Sequence, residues 1–192
     1  PYMGYARQDR RFQRGEPVSA RAIARALSPG VRRVFTVNLH KEAILAYFGT
    51  TARNLSLAPD IGAYIRGMDT DNPLILAPDR GAAAFAADVA AVGGWDSDYL
   101  QKVRISGDEV RMQPVTIDVA SRTVVIVDDI ISTGGTLATA ATKLLEKGAR
   151  AVHAVCVHGV FAGGAYGRLK SVGIESVAAS DTIECGSSLF SA

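Results

Sequence analysis

Thr123-Val124-Val125-Ile126-Val127-Asp128-Asp129-Ile130-Ile131-Ser132-Thr133-Gly134-Gly135-Thr136 is the stretch on which the reading of this chain turns. Five apolar or β-branched residues at 123–127 predict a short buried strand. Two adjacent carboxylates follow its end, then a turn of small hydroxyl residues and glycines. Residues 137–147 read as a helix, which Gly148 stops at the C′ position. A strand, a turn of this chemistry and a helix make a phosphate cradle. Gly134 and Gly135 let the backbone approach an anion, the turn's N–H groups point inward, and the positive helix end adds attraction. Ser132, Thr133 and Thr136 bring hydroxyl donors.

Acids beside such a turn would repel a phosphate. Asp128 and Asp129 should therefore face hydrogen-bond donors, such as the vicinal hydroxyls of a ribose. No Lys follows the glycines, which argues against a Walker A loop. An ordinary strand–turn–helix with solvated acids is the plainer alternative, but turn formation alone does not call for this order of residues.

Working outward, apolar strands alternate with helices. Strands are expected at 34–37, 74–77, 115–119, 123–127, 151–157 and 175–178. Helices are expected at 18–27 with Ser19 as N-cap, at 41–48, at 61–66, in the Ala-rich run ending near Gly93-Gly94, and at 165–170. This alternation predicts an α/β fold with a parallel sheet covered on both faces. Ligands of such sheets gather beyond the carboxyl ends of the strands. His40, Asp79, Asp128 and His158 are each expected just past a strand's end.

The 192 residues are 48% apolar and 21% charged, with a net charge of +2, composition typical of a soluble globular protein. That charge is too small to imply a nucleic-acid partner. No apolar run reaches membrane-spanning length. Cys156 and Cys185 are isolated and lack metal-type spacing, which points to free thiols in a reducing cytoplasm. The start at Pro1 without Met, and the end at Ser188-Leu189-Phe190-Ser191-Ala192, raise the expectation of a fragment.

The 123–136 segment resembles the phosphoribosyl-pyrophosphate loop of the type I phosphoribosyltransferase superfamily. That superfamily holds salvage transferases and also the ribose-phosphate pyrophosphokinases. Other segments resemble the pyrophosphokinases in order along the whole chain. These are Pro1-Tyr2-Met3-Gly4-Tyr5-Ala6-Arg7-Gln8-Asp9-Arg10-Arg11, Val37-Asn38-Leu39-His40, Ala77-Pro78-Asp79-Arg80-Gly81, Lys102-Val103-Arg104, His158-Gly159-Val160-Phe161-Ala162-Gly163-Gly164-Ala165 and Ser180-Asp181-Thr182-Ile183. Ile130-Ile131-Ser132 and Lys102-Val103-Arg104 look closest to archaeal-type members.

The resemblance implies a phosphoribosyltransferase-like domain over 58–192 that binds ribose 5-phosphate. Before it, residues 1–57 would be the C-terminal remainder of a second, similar α/β domain on the ATP side, the rest of that N-terminal domain lying outside the chain. It implies transfer of pyrophosphate from MgATP to the 1-hydroxyl of ribose 5-phosphate, with AMP released, in a homo-oligomer. Arg7, Gln8 and His40 would meet ATP, and His40 and Asp79 would serve Mg²⁺. Lys102 and Arg104, on a mobile loop, would be catalytic. Arg104, Asp128, Asp129, Ser132, Thr133, Gly134, Gly135 and Thr136 would hold ribose 5-phosphate. Many family members carry Asp where this chain has Asn38, so that position is left out of the metal site. A salvage phosphoribosyltransferase and a non-catalytic regulatory homologue are the alternatives.

Overall fold

The computed structural model describes residues 2–104, 110–114 and 117–192; at 102–104 and 110–114 the description is of the backbone alone. The chain divides into two compact units, Pro1–Leu57 and Ala58–Ala192.

In the first unit, helix α1 (Ser19–Leu27) and a 3₁₀ helix (Glu42–Tyr47) accompany two parallel strands, β1 (Arg33–Val37) and β2 (Thr51–Leu55). Ala20, Ala24, Ile44 and Phe48 form its small core, with Val34, Leu39, Tyr47 and Ala52 packed against it. Two expectations are corrected here. Val18, not Ser19, occupies the N-cap of α1, and the Ser19 hydroxyl donates to Gln8 Oε1 instead. The helix expected at 41–48 is a 3₁₀ helix, closed by i→i+3 bonds such as Ile44 N to Lys41 O at 3.1 Å. So short a segment between two strands gains little from α-helical propagation. Strand β2 was not anticipated, because Arg53 and Asn54 mask its alternation.

Among the described residues, the second unit contains a seven-stranded sheet. In chain order its elements are α2 (Ala58–Arg66), β3 (Leu74–Ala77), a 3₁₀ turn (Arg80–Ala82), α3 (Ala83–Gly93), β4 (Ser97–Arg104), β5 (Val110–Pro114) and β6 (Thr123–Ile131). Then come α4 (Gly135–Glu146), β7 (Ala151–Gly159), a second 3₁₀ turn (Ala162–Gly164), α5 (Ala165–Ser171), β8 (Ser176–Ser180) and β9 (Ser188–Phe190). The strand order is β5-β4-β3-β6-β7-β8-β9, and every pairing is parallel except β4 with β5. The expected parallel-sheet α/β architecture is met.

Both faces of the central strands are buried, which is why they read as continuous apolar runs. Leu74, Leu76, Val124, Ile126, Val152, Ala154 and Val177 pack with Leu137, Ala141 and Leu144 of α4 and Leu169 of α5. The alternate positions Ile75, Val125, Val127, Val155 and Ala178 are buried as well. Helix α3 packs on β3, β4 and β6, α4 on β7, and α5 on β8. Removing one such Leu or Ile side chain to Ala would cost about 2–5 kcal/mol.

The order places a topological switch between β3 and β6. From β3 the chain moves to one side through β4 and β5, then returns to β3's other edge as β6 and continues outward. Because β3 and β6 are parallel, their carboxyl ends share one edge of the sheet, the place where such folds bind ligands.

Several expected elements shift. Of the strand expected at 115–119, residues 115–116 lie outside the described residues, and Ile117, Asp118 and Val119 take no regular structure. The segment expected as a mobile loop is largely strand. Residues 100–104 of β4 pair antiparallel with 110–114, and 105–109 lie outside the described residues. Asp128 and His158 are not past their strands but inside β6 and β7, since the ladder between them continues to Ile131 and Gly159. Residues 58–60 already belong to α2, and β9 was not foreseen.

Candidate active site

The turn after β6 is shaped by one backbone angle. Gly134 sits at φ 71°, ψ 0°, the left-handed region that side chains resist, and is the N-cap of α4. Its carbonyl accepts from Ala138 N at 2.9 Å. In a planar trans peptide the C=O and the following N–H point opposite ways. The Gly135 amide is therefore aimed away from the helix. Among the described residues, no side chain is seen to cap this end of α4. The first-turn amides of Gly135, Thr136 and Leu137 thus have no acceptor from within the helix, and the dipole adds positive potential. Thr133, Gly135 and Thr136 are exposed, Ser132 is half-buried, and Gly134 is buried beneath them. The arrangement suits an anion with several oxygens.

Asp128 and Asp129 are half-buried near the end of β6, neither in the core nor free in solvent. As successive strand residues they stand on opposite faces of the pleat. Asp128 Oδ1 accepts from Asp129 N at 2.9 Å. Asp128 lies level with Cys156 on β7. Burial first, opposed by a backbone hydrogen bond from Ile131 and reinforced by the charge of Asp128, pushes the Cys156 thiol above its ordinary range.

Asp79 follows β3 across the switch point. Its Oδ1 accepts from Gly81 N at 2.7 Å and caps the 3₁₀ turn ahead of α3. Asp79 is thus an N-cap, and one carboxylate oxygen is engaged in that role. On the other flank of β3, Ala77 is level with Tyr99 of β4. Lys102 and Arg104 lie three and five residues further along β4, so Arg104 stands ~17 Å beyond the end of β3 at ~3.3 Å per residue. The β4–β5 ribbon therefore projects past the ligand edge, with Lys102 and Arg104 at alternate positions opposite Met112 and Val110.

Arg7, Gln8 and His40 belong to the first unit. Gln8 is fastened to the start of α1: its N–H donates to Tyr5 O at 2.9 Å, its carbonyl accepts from Ala20 N at 3.2 Å, and its side-chain oxygen accepts from Ser19. Arg7 is exposed and His40 half-buried. Asn38 takes φ 41°, and its Oδ1 accepts from Leu57 N at 2.7 Å. Its amide locks the end of β1 to the chain leaving β2, a structural use consistent with leaving it out of the metal site.

Among the described residues, no three His, Cys, Asp or Glu side chains gather as a metal cage. Magnesium commonly takes one or two carboxylates and completes its shell with water and substrate phosphates. Asp79, with one oxygen committed to its cap, fits that pattern. Sequence reasoning missed Arg168 of α5, which donates to Thr133 O and, at 3.3 Å, to Gly163 O. No local pattern signals a contact 35 residues away.

A switch-point sheet with two aspartates ending its central strand and an uncapped, glycine-turned helix start defines a phosphoribosyltransferase-type unit. The phosphoribosyl transferase domain model matches residues 57–177. The chain is 47% identical to the ribose-phosphate pyrophosphokinase of Methanosarcina acetivorans over its whole length and 67% of that protein's. It is 46% identical to the enzyme of Methanosarcina mazei, covering 64% of it, and 44% identical to ribose-phosphate pyrophosphokinase 2 of Archaeoglobus fulgidus, covering 69%. The crystal structure of phosphoribosylpyrophosphate synthetase from Mycobacterium smegmatis superposes with a TM-score of 0.82 at 32% identity, covering 93% of this chain and 59% of that one. The chain thus spans about two thirds of the length of these relatives. It belongs to the ribose-phosphate pyrophosphokinase family, and the archaeal-type resemblance is borne out.

Proposed function

We propose that the protein transfers pyrophosphate from MgATP to the 1-hydroxyl of ribose 5-phosphate, giving phosphoribosyl pyrophosphate and AMP. One observation carries the reading: the uncapped start of α4, turned by Gly134, directly follows a strand whose end bears two half-buried aspartates. A phosphate and a diol on one small molecule match those two features, and ribose 5-phosphate carries both.

In this reading the 5-phosphate sits on the Gly134, Gly135 and Thr136 amides, with the Ser132, Thr133 and Thr136 hydroxyls adding donors. Asp128 and Asp129 accept from the 2- and 3-hydroxyls and thereby aim the 1-hydroxyl. That oxygen attacks the β-phosphorus of ATP, and AMP leaves. Such chemistry needs positioning and charge neutralisation more than covalent help. Lys102 and Arg104, on the projecting ribbon, offset charge growing on the transferred group, and Arg104 also meets the sugar phosphate. Arg7, Gln8 and His40 bind ATP. Asp79 and His40 are the residues that would hold Mg²⁺, which when bound neutralises the triphosphate. His40 acts through water or phosphate, because Mg²⁺ favours oxygen ligands. Two free cysteines fit a cytoplasmic protein, and a homo-oligomer is the expected assembly.

The test is product analysis. Protein incubated with MgATP and ribose 5-phosphate should form AMP and phosphoribosyl pyrophosphate in equal amounts, followed by chromatography and ³¹P NMR. Pyrophosphate released only in the presence of a nucleobase and phosphoribosyl pyrophosphate would replace this reading with a salvage transferase.

A further inference from the structure

The segment His158-Gly159-Val160-Phe161-Ala162-Gly163-Gly164-Ala165 has no part in the reaction described above, yet its backbone is unusual. Phe161 takes φ 44°, Gly163 φ 60° and Gly164 φ 74°, three left-handed residues within four positions. A left-handed Phe is strained and persists only where its surroundings impose it. The structure shows what they achieve. Val160 N and Phe161 N both donate to Ile131 O, at 3.0 and 3.1 Å, where β6 enters the phosphate turn. The same bend directs the Gly163 carbonyl to Arg168, whose guanidinium also donates to the Thr133 carbonyl inside the turn. Beneath it, a Cβ on Gly134 would lie 3.3 Å from Leu169 and 3.4 Å from Ala165. The start of α5 and the turn before it form a bracket around the phosphate loop.

We infer that Arg168 is a positioning residue for the phosphate site: by holding the Thr133 carbonyl, it fixes the plane of the Thr133–Gly134 peptide and turns the Gly134 amide to the anion. The inference rests on the reading of this loop as the 5-phosphate site. Its logic is the peptide geometry used for Gly135. The Gly134 carbonyl is held by Ala138 N, which aims the Gly135 amide. The Thr133 carbonyl is held by Arg168, which aims the Gly134 amide the opposite way. Glycine at 134 lets this peptide rotate easily, so without a tether its amide is not pre-aimed and the ordering falls on ligand binding. Arginine suits the task because its planar fork reaches the Thr133 and Gly163 carbonyls together, whereas an ammonium is a point donor without that planar geometry. Arg168 itself need not touch the ligand.

The experiment compares Arg168→Met and Arg168→Lys with the unaltered protein. Steady-state kinetics give KM for ribose 5-phosphate and for ATP. ¹H–¹⁵N spectra follow the Gly134 and Gly135 amides during titration with inorganic phosphate, and a melting curve reports folding. Arg168→Met is expected to raise KM for ribose 5-phosphate about tenfold and leave KM for ATP within twofold. It should also diminish the phosphate-induced shift of Gly134 more than that of Gly135. Arg168→Lys should recover part of both effects. An unchanged KM for the sugar phosphate, or equal losses toward ATP and sugar with a lowered melting point, would overturn the inference. If the unaltered protein forms no AMP yet its Gly134 shift with phosphate depends on Arg168, the activity proposal fails and the positioning role stands.

Discussion

Gly134 lies directly on Leu169: a Cβ built on it would come within 3.3 Å of both Leu169 Cγ and Cδ2, and its φ of 71° is one that side chains rarely adopt. Two independent penalties, backbone strain and crowding against α5, therefore meet at one residue. Gly134→Ala should lower stability by about 1–3 kcal/mol, measured by urea denaturation. It should weaken ribose 5-phosphate binding more than ATP binding, since relief of the strain rotates the cradle amides. A variant of unaltered stability and sugar affinity would show that the turn does not depend on its left-handed glycine.

Asp128 and Asp129 are successive half-buried residues near the end of β6, and each is expected to serve a different sugar hydroxyl. Asp128→Asn and Asp129→Asn keep the shape and remove the charge. Hydrogen bonds to charged groups contribute about 1.5–3 kcal/mol, so each change should raise KM for ribose 5-phosphate by about 10- to 100-fold. 2-Deoxyribose 5-phosphate gives the sharper measurement: the penalty for the missing hydroxyl should shrink in one variant and persist in the other. If the penalty is the same in both, the acids do not divide the diol between them.

Lys102 and Arg104 lie on β4 beyond the end of β3, where β4 pairs with β5. Substituting either by Ala should reduce kcat by about 10²-fold while stability changes little, because cations that act on the transition state affect turnover more than substrate affinity. Near-normal turnover in Lys102→Ala would remove that residue from the mechanism. Single-turnover kinetics would separate the chemical step from product release.

At the opposite end of the sheet His153 is buried on β7, with Nδ1 2.8 Å from Ser176 Oγ and Nε2 3.9 Å from Glu175. Burial lowers its pKa below the ordinary 6.5, with Glu175 opposing and Lys170 adding to the shift. The unfolded chain therefore takes up the proton first. This contribution to stability is complete above pH 6.5 and is lost as the pH falls through the depressed folded value. The urea midpoint should decline below pH 6.5, and the decline should be smaller in His153→Asn. A steeper decline in the variant would reverse the sign assigned here.

Much of the second unit could be read along the chain. Strands such as 74–77 and 124–127 are apolar on both faces, and that is a local property of consecutive residues. The glycine–hydroxyl turn and its acids were equally plain, since each residue type has a backbone or donor requirement of its own. The 97–104 and 110–114 strands were harder. Their polar composition resembles a surface loop, and only pairing with each other makes them a ribbon. For the same reason the ladder to β7 carries β6 four residues past its expected end and takes Asp128 and Asp129 into the strand.

Periodicity, turn chemistry and the acid–glycine order thus settle the α/β class and single out the turn proposed to take the phosphate, because these signals act between near neighbours. Strand order is different. The placement of Asp79 at the same sheet edge as Asp128 and Asp129 and the reach of Arg168 to Thr133 depend on contacts between residues tens of positions apart. No local stretch of chain encodes which strand lies beside which. Packing of both sheet faces selects that arrangement, and it exists only once the fold has closed.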